Sequence, residues 1–240
     1  MVNKLSVIIT TLNAGKFIRS LLNSLKNQDT QTFDIIIVDG GSVDGTVDII
    51  NSYKLVNLLV QPGVSIYGGL NIAIEACKTP YYLICGADDF IYSHAINTVL
   101  ADIERIGDPG IVLYSVKKGG LIVKPNYPSK FRRILGWQSI ISSHSVGSVI
   151  KTNLHNKLGM YSERYKILAD GYFFSEVFSY TKSVYISENV IGEFSIQGIS
   201  NKNFYENIFT MFLIQIKSHA FFPQLILLVF RLVKYRSKGM

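Results

Sequence analysis

Four times within about its first 90 residues the chain passes from a short β-branched run to a stretch of helical character. That rhythm narrows the choice of fold more than any other feature. Residues 5–10 read as a buried strand, and Phe17, Ile18, Leu21, Leu22 and Leu25 then recur at helical spacing. Residues 33–38 give a second strand and 45–50 open a second helix; 56–61 predict a third strand and 69–78 a helix. Residues 81–85 make a fourth strand, with a helix near 92–105. Repeated strand–helix units require right-handed crossovers between parallel strands. The fold class is therefore α/β, a mostly parallel sheet flanked by helices on both faces.

Beyond residue 110 the rhythm changes. Residues 111–116 and 120–124 predict a hairpin around Lys117-Lys-Gly-Gly. Pro125, Pro128, Lys130, Arg132 and Arg133 mark 125–137 as a long loop. A strand at 148–151, helices at 152–158 and 170–180, and short strands at 183–187 and 190–196 follow, so this smaller region is of mixed type. Phe, Leu, Ile and Val dominate 209–233, whose longest uncharged run, 218–230, holds 13 residues including Pro223. A spanning helix needs about 20 apolar residues, so this run is too short. Lys217, Arg231, Lys234, Arg236 and Lys238 flank it, which suits an amphipathic segment lying on a membrane surface; a helix packed on the domain with a solvated basic end is the other reading. At roughly 100–200 residues per domain, the 240 residues predict one α/β domain over 1–208, with halves 1–116 and 117–208, and a tail over 209–240.

The formal charge of +7 suits anionic partners without choosing among them. No basic stripe with interleaved aromatics supports nucleic acid as a partner. Cys77 and Cys85 lack CxxC spacing and read as small core hydrophobes. The first residues lack a signal-peptide apolar region, so a reducing, cytoplasmic location is expected.

In a parallel sheet, ligands bind beyond the carboxyl ends of the strands. After the first strand come Thr10-Thr11-Leu-Asn13, and after the second Asp39-Gly-Gly-Ser-Val-Asp44-Gly-Thr46. The third is followed by Ser65-Ile-Tyr67-Gly-Gly-Leu-Asn71, the fourth by Gly86-Ala-Asp88-Asp89. Asp44 fits a helix cap, while Asp39, at a strand end, is placed to accept from a base N–H. Asp88 and Asp89 repel each other as adjacent carboxylates, and a divalent cation relieves that repulsion.

These motifs, in this order and spacing, resemble glycosyltransferase family 2 over about residues 4–200. The resemblance implies the GT-A fold, a nucleotide-binding α/β half followed by an acceptor-binding half. Gly40 stands where the family's Val-Asp-Asp-Gly-Ser motif has its second Asp. The segment Ser65-Ile-Tyr67-Gly-Gly-Leu-Asn71 is similar to Gly-Ile-Tyr-Asp-Ala-Met-Asn in the bacterial surface-polysaccharide branch, with Gly68 replacing the Asp. The branch also has a His ahead of an Asp-Tyr pair that opens a helix; here these match His144 and Asp170, with Gly171 replacing the Tyr. Gln197-Gly198-Ile-Ser200 resembles the closing Gly-x-Ser segment.

What the resemblance implies is inverting transfer of a sugar from a nucleotide-sugar donor to a hydroxyl of a lipid-linked glycan acceptor. Asp170 takes the role of general base. Asp89, with Asp88, is implied to ligate Mn2+ or Mg2+, and Thr10, Thr11, Asn13, Asp39 and Asp88 to hold the nucleotide. Tyr67 and Asn71 are implied to lie beside the donor sugar, and His144 near the acceptor. The enzyme is expected on the inner face of the cell membrane; donor sugar, acceptor and oligomeric state stay open. Two other readings remain: a fold of this type that has lost activity, for which Gly40, Gly68 and Gly171 speak, and a sugar nucleotidyltransferase.

Overall fold

A computed structural model describes residues 3–125, 145–165, 168–181, 183–195 and 204–236. The four expected strands, β1 (Leu5–Thr11), β2 (Asp34–Asp39), β3 (Val56–Val60) and β4 (Tyr81–Gly86), are parallel and lie in the order β3-β2-β1-β4. The near-continuous apolar runs of β1, β2 and β4 reflect burial on both faces, while the edge strand β3 is half-buried to exposed. Val7, Ile9, Ile35 and Ile37 pack into one core with helix α1 (Ile18–Lys26), and Ile8, Ile36 and Val38 pack into the other with α3 (Ile66–Ala76). Helix α2 (Thr46–Asn51) is short. Helix α3 begins three residues earlier than its apolar spacing predicts, because Ser65 caps it and accepts from Gly68 N at 3.0 Å.

On the other side of β4 come β5 (Phe90–Ile91), α4 (Ala95–Ile106), β6 (Ile111–Lys118), β7 (Leu121–Val123), β8 (Ser148–Lys151), α5 (His155–Leu158), α6 (Ala169–Tyr180) and β9 (Val184–Phe194). Among the described residues all nine strands form one sheet, continuing β4-β8-β6-β9-β5, with β8 antiparallel to both β4 and β6. The expected hairpin is β6 with β7. The two short strands expected at 183–187 and 190–196 are a single strand, β9, whose register against β6 slips between Leu113 and Ser115 and again before Lys117. That irregularity interrupts the alternation and makes one strand read as two. The pairing of β5 with β9 requires Gly192, since a Cβ there would lie 2.5 Å from the Phe90 carbonyl oxygen. The loop expected at 125–137 lies, beyond Pro125, outside the described residues, as do His144 and the segment 197–200.

The tail is two helices, α7 (Phe204–Ser218) and α8 (Phe221–Arg236). The boundary expected between 208 and 209 falls inside α7. Pro223 sits in the first turn of α8, where its missing N–H leaves no helical bond unmade. Ile208, Met211, Phe212 and Ile214 are buried. Tyr205, Phe209 and Leu213 are exposed along one stripe of α7, and Phe222, Ile226, Phe230 and Val233 along α8. Two of the flanking cations face protein rather than standing clear. Lys217 Nζ donates to Tyr165 Oη at 2.8 Å and lies over the Tyr165 and Tyr172 rings, and Arg231 Nη1 reaches Gln215 Oε1 at 3.4 Å. No described helix is long and apolar enough to cross a membrane.

Candidate active site

At the carboxyl ends of β1 and β2 the residues after each strand are stitched together. Asp39 is fully buried. Its Oδ1 accepts from Gly41 N (2.9 Å) and Ser42 N (2.7 Å), and its Oδ2 from Thr11 Oγ1 (2.8 Å) and Ser42 Oγ (2.6 Å). A carboxylate offers about four acceptor sites, so the loop fills them. Burial pushes the Asp39 carboxyl up, but the bonds from Ser42, Thr11 and Gly41 outweigh it and hold the group below its usual range. Asn13, at a left-handed φ of 51°, accepts from Val43 N at 3.0 Å, while its own N–H donates to Ser42 Oγ at 2.7 Å. Asp44 accepts from Gly15 N and from the amide of Thr46, the first residue of α2; the N-cap position expected for Asp44 is taken by Gly45, at a left-handed φ of 85°, with Asp44 one residue ahead of it. Thr10, Thr11, Asn13 and Asp39 thus come together, with the last three closing a loop rather than presenting open side chains.

The end of β4 is different. Asp89 is 2% exposed; its Oδ2 accepts from Gly86 N (2.7 Å) and its Oδ1 from Ser195 N (3.1 Å). Burial pushes its pKa up to about 7, and the neighbouring Asp88 charge adds to this. Asp88 is only partly buried. The expected order of the pair, Asp89 as the principal ligand and Asp88 as helper, therefore does not match their accessibility. The reason is β5: once Phe90 and Ile91 pair with β9, the residue before them turns toward Ser195. Among the described residues no three His, Cys, Asp or Glu side chains converge as a metal cage. Two adjacent carboxylate groups do fit a hard cation that keeps waters and binds substrate phosphates.

Helix α3 joins this edge to the second half. Its Gly69 lies against Thr10, a Cβ there standing 3.0 Å from Thr10 Cγ2. Ser65 Oγ donates to Glu163 Oε2 at 2.8 Å, and Tyr67 Oη donates to Asp170 Oδ1 at 3.1 Å. Asn71 exchanges two bonds of 2.9 Å with the backbone of Tyr161. A Cβ on Gly68 would lie 2.6 Å from Glu163 Oε2, so the carboxylate of Glu163 occupies space a larger residue would claim. The resemblance implies that Tyr67 and Asn71 lie beside the donor sugar; both amide atoms of Asn71 also bond the Tyr161 backbone. Asp170, in the first turn of α6, also accepts from Gly171 N at 2.8 Å on Oδ1. Burial raises its pKa, opposed by the bonds from Gly171 and Tyr67. Leu168, two residues earlier, has a left-handed φ of 72°, a strained entry to the helix.

Sequence reasoning missed His155. Its Nδ1 lies 3.0 Å from the Gly159 carbonyl, which only accepts, so Nδ1 carries the proton and Nε2 accepts from Tyr82 Oη at 2.7 Å. Tyr82 Oη then accepts from Tyr161 Oη at 2.8 Å. Burial lowers the His155 pKa, opposed by the Gly159 bond, and the ring stacks on Phe173 of α6 at 4.3 Å. This chain fixes the segment that carries Glu163 and Asp170. Only the aromatic richness of 155–173 hints at it in the sequence.

Comparison with known proteins bears on the fold and the family. The teichoic acid poly(glycerol phosphate) polymerase of Staphylococcus epidermidis is 35% identical over 106 residues, which is 41% of this chain and only 14% of that protein. The crystal structure of S. aureus TarS 1-349 in complex with UDP-GlcNAc superposes with a TM-score of 0.68 at 21% identity, covering 88% of this chain and 66% of that one. The mannosyltransferase PcManGT from Pyrobaculum calidifontis, in complex with GDP-Man and Mn2+, gives a TM-score of 0.66 at 16% identity, covering 95% and 68%. Both structural matches show the fold, which is the expected GT-A type. The model of "Glycosyl transferase family 2" matches residues 6–183, well over half the chain, and the protein belongs to that family.

Proposed function

We propose that the chain is an inverting glycosyltransferase that moves a sugar from a nucleoside-diphosphate donor to a hydroxyl of a glycan acceptor. The observation that carries this reading is the placement of Asp88, Asp89 and the Tyr67–Asp170 pair around the carboxyl ends of β1 and β4 and the start of α3. Asp170 Oδ2 accepts the proton of the acceptor hydroxyl; that oxygen bonds to the anomeric carbon as the bond to the diphosphate breaks, and the configuration inverts. Asp39 holds the Gly40–Ser42 backbone in shape beside the nucleotide. Asp88, the more accessible carboxylate, with Asp89, would hold Mn2+ or Mg2+, which neutralises charge on the departing diphosphate when bound. The relatives named above support a UDP- or GDP-linked sugar and a role in bacterial surface-glycan synthesis.

The acceptor is lipid-linked and the enzyme rests on the inner membrane surface. The exposed Phe209, Phe222, Ile226 and Phe230 supply the apolar contact, and the basic end from Lys234 onward adds about 1 kcal/mol per cation near anionic lipid. A thermal-shift panel of UDP, GDP and dTDP with and without Mn2+ tests the donor side. One of them should raise the melting temperature in a Mn2+-dependent way, since binding at a hundred times the dissociation constant contributes about 2.7 kcal/mol. Absence of any such shift would refute the reading. Flotation with phosphatidylglycerol vesicles tests the membrane side: a protein that stays at the bottom of the gradient has no such surface.

A further inference from the structure

Tyr67 lies in the segment expected to touch the donor sugar, yet its hydroxyl donates to Asp170 Oδ1 at 3.1 Å, across 103 residues of sequence. The residue is 8% exposed, and its ring is in tilted contact with Tyr161, with ring centroids 5.9 Å apart. Tyr161 is itself fixed, by Asn71 through its backbone and by Tyr82 through its hydroxyl. The Tyr67 hydroxyl therefore sits on a ring with little freedom to turn. Gly171 N donates to the same Oδ1 at 2.8 Å. Two donors on one oxygen leave the other, Oδ2, as the atom for an incoming hydroxyl proton.

We propose that Tyr67 is a positioning residue for Asp170: it pins Oδ1, sets the carboxylate's orientation, and keeps its charged form available inside a buried site. This rests on Asp170 being the general base, as argued above. The physical reason is that a donor to a carboxylate stabilises the ionised form against burial. Because Tyr67 belongs to α3, whose start lies by the strand ends, the same residue ties the base to the donor-side edge. Glu163 and Asn71 link the same two segments, so the positioning is stiff in more than one direction.

The test compares the parent, Tyr67→Phe and Asp170→Asn. Phe keeps the ring against Tyr161 and removes only the donor. Release of nucleoside diphosphate from UDP-GlcNAc and GDP-mannose is followed against pH, with Mn2+ and a bacterial lipid extract as acceptor. Tyr67→Phe should lower kcat about tenfold at neutral pH and move the acid limb of the kcat profile up by about one pH unit. Activity should return in part at higher pH, with KM for the donor within twofold of the parent. Carbon-13 titration of labelled Asp carboxyls in the folded protein gives a readout free of donor and acceptor: the Asp170 resonance, assigned by its loss in Asp170→Asn, should titrate at higher pH in Tyr67→Phe. An unchanged Asp170 titration, or a raised donor KM with kcat intact, would overturn the proposal and return Tyr67 to the donor. If Asp170→Asn turns over like the parent, it is the base assignment that falls instead.

Discussion

Two sets of carboxylates stand at the same edge of one sheet and behave differently. On the β1–β2 side, the fully buried Asp39 accepts from four donors, three in its own loop and one from Thr11 of β1, and the exposed Asp44 accepts from Gly15 N and the Thr46 amide. On the β4–α6 side, Asp88 is partly open to solvent, Asp89 is buried with a donor on each oxygen, and among the described residues the bonds from Tyr67 and Gly171 to Asp170 fall on a single oxygen. A carboxylate at a strand end is therefore no ligand or base by position alone. What separates Asp39 from Asp170 is that both oxygens of the first, and only one of the second, accept a bond among the described residues.

Exchanging an oxygen for an amide in each set puts this contrast to the test. Asp170→Asn should lower turnover by about 10²–10⁴-fold, with nucleotide affinity by calorimetry nearly unchanged. Asp39→Asn should act mainly on the fold. An amide group would face N–H and O–H donors in a fully buried loop, and urea unfolding should show a loss of about 3 kcal/mol. Were Asp39→Asn to leave stability intact and abolish nucleotide binding, the division between shaping and open carboxylates would collapse.

Smaller effects sharpen it. Gly192→Ala drives a Cβ to 2.5 Å from a backbone oxygen and should destabilise by about 2 kcal/mol, loosening β5 and with it Asp89. Gly68→Ala meets the end of a flexible side chain, Glu163, ahead of Val64, and should cost about 1 kcal/mol by the same measurement. The smallest effect is a pH dependence. His155 is held neutral with a folded pKa below its ordinary value. The unfolded chain thus takes up a proton first on acidification, and stability present above about pH 6.5 falls as pH drops below it. Melting temperatures of the parent and His155→Gln between pH 7.5 and 5 should converge as the pH falls; parallel curves would assign the network no titrating role.

The parallel half of the fold is readable because both faces of β1, β2 and β4 are buried, which writes long apolar runs such as 5–10 and 33–38 into the sequence. Helix α3 was displaced by three residues because its start is written in a hydroxyl cap, Ser65, ahead of the apolar spacing. β5 escaped notice because two residues carry no period, and β9 was split because its register slips. The polar and acidic residues at the strand ends stand out in the sequence by position and motif. Their contacts do not: whether Asp39 or Asp170 has an open oxygen depends on donors elsewhere, and Tyr67 meets Asp170 across a sequence separation of 103. No local pattern encodes such a pairing.

The links that complete the site have one property in common. Ser65 to Glu163, Tyr67 to Asp170, Asn71 to Tyr161 and Asp89 to Ser195 span 98, 103, 90 and 106 residues. A ribosome adding about 5–20 residues per second needs on the order of 5–20 s to make such a stretch. The parallel strands therefore leave the ribosome well before any of these four partners exists. During that interval the nascent chain has its parallel strand ends but neither a fixed Asp170 nor an anchored Asp89, so this edge is completed only once Ser195 has been made.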